Sequence, residues 1–124
     1  MVLAISPEEM KIYRQTARLR WEQENQARQR RQQQAWSAAR KVAQYMKDEF
    51  HVEKVAVFGS LVHPGMFHLH SDLDLAVWGL TTQNWLQAVG AARDQSDEIE
   101  INLVDVTACS PQLYAAIEQE GVFI

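Results

Sequence analysis

Two short stretches carry residue types that could do chemistry together. Gly59-Ser60 follows the apolar run VAVF (55–58), and the run DLDLAV (72–77) follows after an interval of eleven residues. In a β-strand, side chains two apart point to the same face. The alternation therefore puts Asp72 and Asp74 on one face and Leu73, Leu75 and Val77 on the other. Two carboxylates aimed the same way from a stiff strand form half of a site for a hard divalent cation. Mg²⁺ is typically held by one or two carboxylates, with substrate phosphates and water completing its shell. Glycine after a strand lets backbone approach a ligand closely. The Ser60 hydroxyl and neighbouring backbone N–H groups can then bind phosphate oxygens. Each stretch alone is common in turns and strand edges; together, at this spacing, they are far more specific.

Such a site needs a small sheet to position it. Residues 52–58 read as a first core strand and 72–78 as a second. Residues 98–106, EIEINLVDV, alternate as a third. One face of that third strand carries Glu98, Glu100, Asn102 and Val104; the other carries Ile99, Ile101, Leu103 and Asp105. Thr81-Thr82 is a plausible cap for a helix over 83–93, with Trp85, Leu86, Ala88 and Val89 on its buried side. Ser110-Pro111 starts a last helix over 112–119, with Leu113, Tyr114 and Ile117 inward and Gly121 as its cap. Residues 122–124 can add a short strand. The order predicts a small α/β fold: a mixed sheet of three or four strands with helices packed on it.

Before the sheet comes a long helical arm. Ser6-Pro7-Glu8-Glu9 is a strong helix start, with Ser as N-cap and Pro at the first position. From there to Phe50 no Gly or Pro interrupts a run rich in Gln, Arg, Ala and Glu. The expectation is a helix of about 40 residues, continuous or broken in its middle. Its apolar residues fall in zones. Ile5, Ile12 and Leu19 recur every seven residues, and Ala35, Trp36, Ala39, Val42, Ala43, Met46 and Phe50 form an amphipathic face suited to the sheet. Between them, residues 22–34 hold Ala27 as the only apolar side chain, so this zone should project into solvent. It carries the first stripe about 20 Å away at 1.5 Å per residue. The predicted division is residues 1–50 as an arm for a partner or a homodimer, and 51–124 as the catalytic domain.

Composition narrows the setting. The chain has 124 residues, 47% apolar and 23% charged, as expected of a single soluble domain. No apolar run is long enough to span a membrane, and the N-terminus lacks the features of a secretory signal. The lone Cys109 fits a reducing cytoplasm. Residues 1–50 hold ten Lys/Arg against six Asp/Glu, a charge of +4; residues 51–124 hold two against ten, −8. The acidic half suits metal binding and argues against nucleic acid as its partner. His63, His68 and His70 lie in the intervening loop at irregular spacing without a cysteine, a poor pattern for zinc.

The arrangement of strand, GS, eleven residues and DLDL resembles the GS-x(about ten)-D-x-D signature of the polymerase-beta-like nucleotidyltransferases, most of all their minimal nucleotidyltransferase (MNT) branch. The resemblance covers residues 51–124 and not the first fifty. It implies transfer of a nucleoside monophosphate, AMP from ATP, with two Mg²⁺ ions. Such a reaction attacks the α-phosphorus and expels pyrophosphate, and two metals about 3.5–4 Å apart stabilise both ends. By this resemblance Asp72 and Asp74 are catalytic metal ligands, and Gly59 and Ser60 hold the triphosphate. The family takes a third carboxylate from a strand reading like VDLVDL. On INLVDV that position falls on Asn102, which can offer a neutral oxygen but cannot act as a base. Glu100, on the same face two residues earlier, is the expected substitute as metal ligand or base. Asp105 faces the other way and takes a structural role. MNT proteins resemble antitoxins that adenylylate a tyrosine of a HEPN toxin, which implies a HEPN-type toxin as the protein acceptor. The alternative is a catalytically weak or inactive module of this fold that neutralises or scaffolds a partner through its long helix.

Overall fold

The computed structural model describes residues 4–124. The first element, α1 (Pro7–Phe50), is one unbroken helix of 44 residues, about 66 Å long at 1.5 Å per residue. The Ser6 hydroxyl accepts from the Glu9 N–H at 3.1 Å, as its capping sequence requires. His51 ends the helix in the left-handed region, and its N–H donates to the Met46 carbonyl.

The sheet follows: β1 (Lys54–Phe58), a 3₁₀ turn over Gly59–Val62, β2 (Leu73–Trp78), α2 (Trp85–Arg93), β3 (Ile101–Asp105), α3 (Pro111–Glu120) and β4 (Val122–Phe123). The strand order is β3-β2-β1-β4. β1 runs antiparallel to β2 and β4, while β2 and β3 are parallel, so the sheet is mixed. This is the expected fold class, with four strands.

The two central strands, β1 and β2, bury both faces. On one side Val55, Val57, Leu73, Leu75, Val77, Ile101 and Leu103 pack with α2 and the C-terminal end of α1. There α1 presents Ala35, Ala38, Ala39, Val42, Ala43 and Met46, a face of mostly small residues that brings the helix close to the sheet. On the other side Ala56, Ala76, Trp78 and Val106 pack with Ile117 of α3. Phe67, fully buried, pins the loop between the 3₁₀ turn and β2.

Several local expectations are corrected. β3 starts at Ile101, so Glu98 and Glu100 precede it. α2 starts at Trp85 with Asn84 as N-cap, because Thr81 and Asn84 close a reciprocal turn instead: Thr81 N–H donates to Asn84 Oδ1 and Asn84 N–H to Thr81 Oγ1. Leu86, expected inside, is 81% exposed, and the buried side of α2 is Ala88 and Ala92. Tyr114 is likewise exposed, leaving Ile117 as the buried anchor of α3. The polar middle of α1 is not wholly free. Arg31 reaches the globular part and donates to the carbonyls of Glu98 and Ser71 at 3.2 and 3.1 Å.

Candidate active site

The strand register lines up the residues of interest across the sheet. Phe58, the last residue of β1, pairs with Asp74, and Asp74 pairs with Asn102 of β3. Gly59 comes next after Phe58, so the bend leaves β1 beside the Asp74 side chain. Its φ is +77°, a region that favours glycine. A Cβ added there would lie 2.5 Å from Asp74 Oδ2. Glycine is therefore required twice at this position: by backbone conformation and by the carboxylate against it.

Asp72 sits one residue before β2 and still joins the cluster. The Asn102 carboxamide bridges the pair: its N–H groups donate to Asp72 Oδ2 at 3.4 Å and to Asp74 Oδ1 at 3.2 Å. All three side chains are partly buried. The pKa of Asp74 is raised. Burial, which penalises its charge, is the main cause; the Asn102 hydrogen bond opposes it, and the negative charge of Asp72 adds to it. Two like charges in a half-desolvated corner are the conditions that a bound cation relieves. The donor set, hard carboxylate oxygens beside a glycine bend, fits Mg²⁺ in chemical type.

Glu100 is not brought into this cluster. Its carbonyl accepts from the Leu73 N–H at 2.9 Å, and its side chain is exposed. Among the described residues, no group of three His, Cys, Asp or Glu side chains stands close enough to hold a metal ion. Asn102, which the sequence marked as a departure, occupies the place beside the two aspartates. Asp105 is turned to local structure, where its carboxylate accepts from the Thr107 N–H and hydroxyl. His63 meets Glu120 of α3 at 3.0 Å. Two surface grooves, of about 450 Å³ beside Arg30, Lys41 and Glu98 and about 430 Å³ beside Trp85, Leu103 and Cys109, do not include the acidic pair. Arg31 was not singled out by sequence reasoning. By holding the Ser71 carbonyl it ties α1 to the residue before Asp72. Nothing in the spacing of one arginine on a polar helix stretch points to that contact.

A glycine bend, two aspartates and an asparagine from the parallel neighbouring strand thus stand together at the head of the sheet. A family model described as polymerase beta, nucleotidyltransferase matches residues 40–124. The chain belongs to this nucleotidyltransferase family. The match begins inside α1, at the stretch that packs on the sheet, so most of the exposed helix lies outside it. Solved structures share the nucleotidyltransferase fold. One is a mutant of the toxin–antitoxin MntA-HpeT, with a TM-score of 0.55, 19% identity, and coverage of 68% of this chain and 70% of that one. Another is the toxin–antitoxin MntA-HepT, with a TM-score of 0.53, 18% identity, and coverage of 71% and 69%. At such identities the likeness establishes the fold. No curated protein matches the chain. No helix among the described residues is long and apolar enough to cross a membrane.

Proposed function

We propose that this nucleotidyltransferase moves a nucleoside monophosphate, AMP from ATP, onto a protein acceptor, in the setting of an antitoxin acting on a HEPN-type toxin. The observation that carries the reading is the contact of the Asp74 carboxylate with the Gly59 bend, with Asp72 joined to the same Asn102. Asp72 and Asp74 would hold Mg²⁺. When bound, that ion polarises the phosphoryl group and lowers the pKa of the attacking hydroxyl. Gly59 lets the bend lie against Asp74, and Ser60 would offer its hydroxyl to the phosphate oxygens. The toxin–antitoxin setting is supported by fold likeness to the MntA structures.

The arm would be the docking element, for the acceptor protein or for a second copy. Ile5, Ile12, Tyr13, Leu19 and Trp21 are all exposed on it, Trp21 by 64%. Ile12 and Leu19, seven residues apart, share one face of the helix, and an exposed apolar patch marks an interaction site.

A second reading has its own observation. Asn102 cannot take a proton from the acceptor, and Glu100 is not at the site. A module that binds its partner without modifying it would tolerate both. One assay separates the two. The protein is incubated with α-labelled ATP, Mg²⁺ and the product of the neighbouring gene. Transfer readings predict label on the partner that is lost in Asp72→Ala/Asp74→Ala. Binding without label in wild type selects the non-catalytic module.

A further inference from the structure

The side chains at the head of β2 and β3 divide their oxygens unevenly. Asn102 takes Asp72 Oδ2 and Asp74 Oδ1. Asp74 Oδ2 is instead the atom nearest to the position a Gly59 Cβ would take. Asp74 thus turns one oxygen to the amide and the other to the glycine bend. Asn102 is the ladder partner of Asp74, so the amide stands on paired strands rather than on a loop. A carboxamide nitrogen donates two hydrogen bonds and brings no net charge. Among the described residues, no third acidic or imidazole group completes the cluster.

The charge balance follows. One divalent cation against two carboxylates is compensated. A second, about 3.5–4 Å from the first, repels it with about four times the energy of two unit charges at that distance. A third carboxylate would offset this; a neutral amide does not. While the Asn102 N–H groups face the aspartates, that side of the pair presents positive hydrogen-bond donors to an incoming cation.

We infer that Asn102 limits the acidic pair to one divalent cation, held by the aspartate oxygens that stay outside its hydrogen bonds. This rests on the reading of Asp72 and Asp74 as a cation site, and narrows to one the two ions implied by the family resemblance. Asn102 acts as a positioning residue that sets how many ions the aspartates accept.

The test counts Mn²⁺ by electron paramagnetic resonance, alone and with α,β-methylene ATP equimolar to protein. Wild type should take one Mn²⁺ per chain with the spectrum of an isolated ion. Asn102→Asp should take two, with the altered spectrum of magnetically coupled ions, and bind the first about tenfold more tightly. Asn102→Ala should stay at one, showing that charge rather than side-chain size sets the count. Circular dichroism checks that each variant folds. If Asn102→Asp does not fold, the wild-type count still decides. A coupled pair in wild type, or one ion in folded Asn102→Asp, overturns the inference and leaves the cation site standing. No Mn²⁺ on wild type, or binding unchanged by Asp74→Asn, overturns the cation site itself and the inference with it.

Discussion

Gly59 and Asp74 depend on each other through space that only glycine leaves open. Any other residue at 59 would carry a Cβ into Asp74 Oδ2 while holding a positive φ. Backbone strain of that kind typically costs about 1–3 kcal/mol. Asp74 has little freedom to move aside, since Asn102 holds its other oxygen. Gly59→Ala should therefore lower the melting temperature and weaken Mg²⁺-dependent nucleotide binding by about tenfold or more. Calorimetry and thermal melts on one preparation check both. Asp74 itself works against the fold. Its pKa is raised, mainly by burial. A carboxyl with a raised folded pKa contributes most below its unfolded pKa and loses that contribution as pH rises through the folded value. At neutral pH the ionised group burdens the cation-free protein. Asp74→Asn should raise the melting temperature of that form at pH 7, and the advantage should fade as the pH falls into the ordinary carboxylate range. Melts across pH in EDTA test the sign. The same raised pKa lets protons compete with the cation at higher pH than an unperturbed aspartate would.

The elements show what alternation can and cannot tell. DLDLAV announced β2 and the shared face of its acids, because period two and apolar burial agree there. The start of α1 was equally plain, since Ser6 and Pro7 act through local chemistry. EIEINLVDV alternates just as cleanly, yet its first three residues lie outside β3. Where a parallel ladder begins is set by the neighbouring strand, here by Leu73 opposite Ile101, and no local pattern encodes it. That is why Glu100 reads as a third acid in the sequence while the structure leaves it outside the group of Asp72, Asp74 and Asn102. The reach of Arg31 to Ser71 and Glu98 is non-local for the same reason. The seating of α1 was legible as an amphipathic face, and its small residues make it sensitive to volume. Ala39 is fully buried in that interface. Ala39→Leu should destabilise by about 1–3 kcal/mol through overpacking. Chemical denaturation would show a lower midpoint at unchanged slope.

At the scale of the molecule, an exposed helical arm and a packed α/β part are laid end to end. The buried part of α1 begins at Ala35, and the helix before it bears an exposed apolar and basic surface. Removing residues 1–24 should leave the melting temperature within about 2 °C, because none of the described residues among them is buried. The same truncation should abolish association with the partner or a second copy, as read by light scattering. The charge split, +4 on residues 1–50 and −8 on 51–124, makes such association weaken with salt. Nearer the sheet, the proposed function requires the acids beside the glycine bend to hold a cation-bound triphosphate. Calorimetric titration of ATP into wild type and Asp74→Asn, each with Mg²⁺ and with EDTA, tests it most directly. Binding should appear for wild type with Mg²⁺ and be at least about tenfold weaker in the other three titrations. Equal affinity in all four would contradict it.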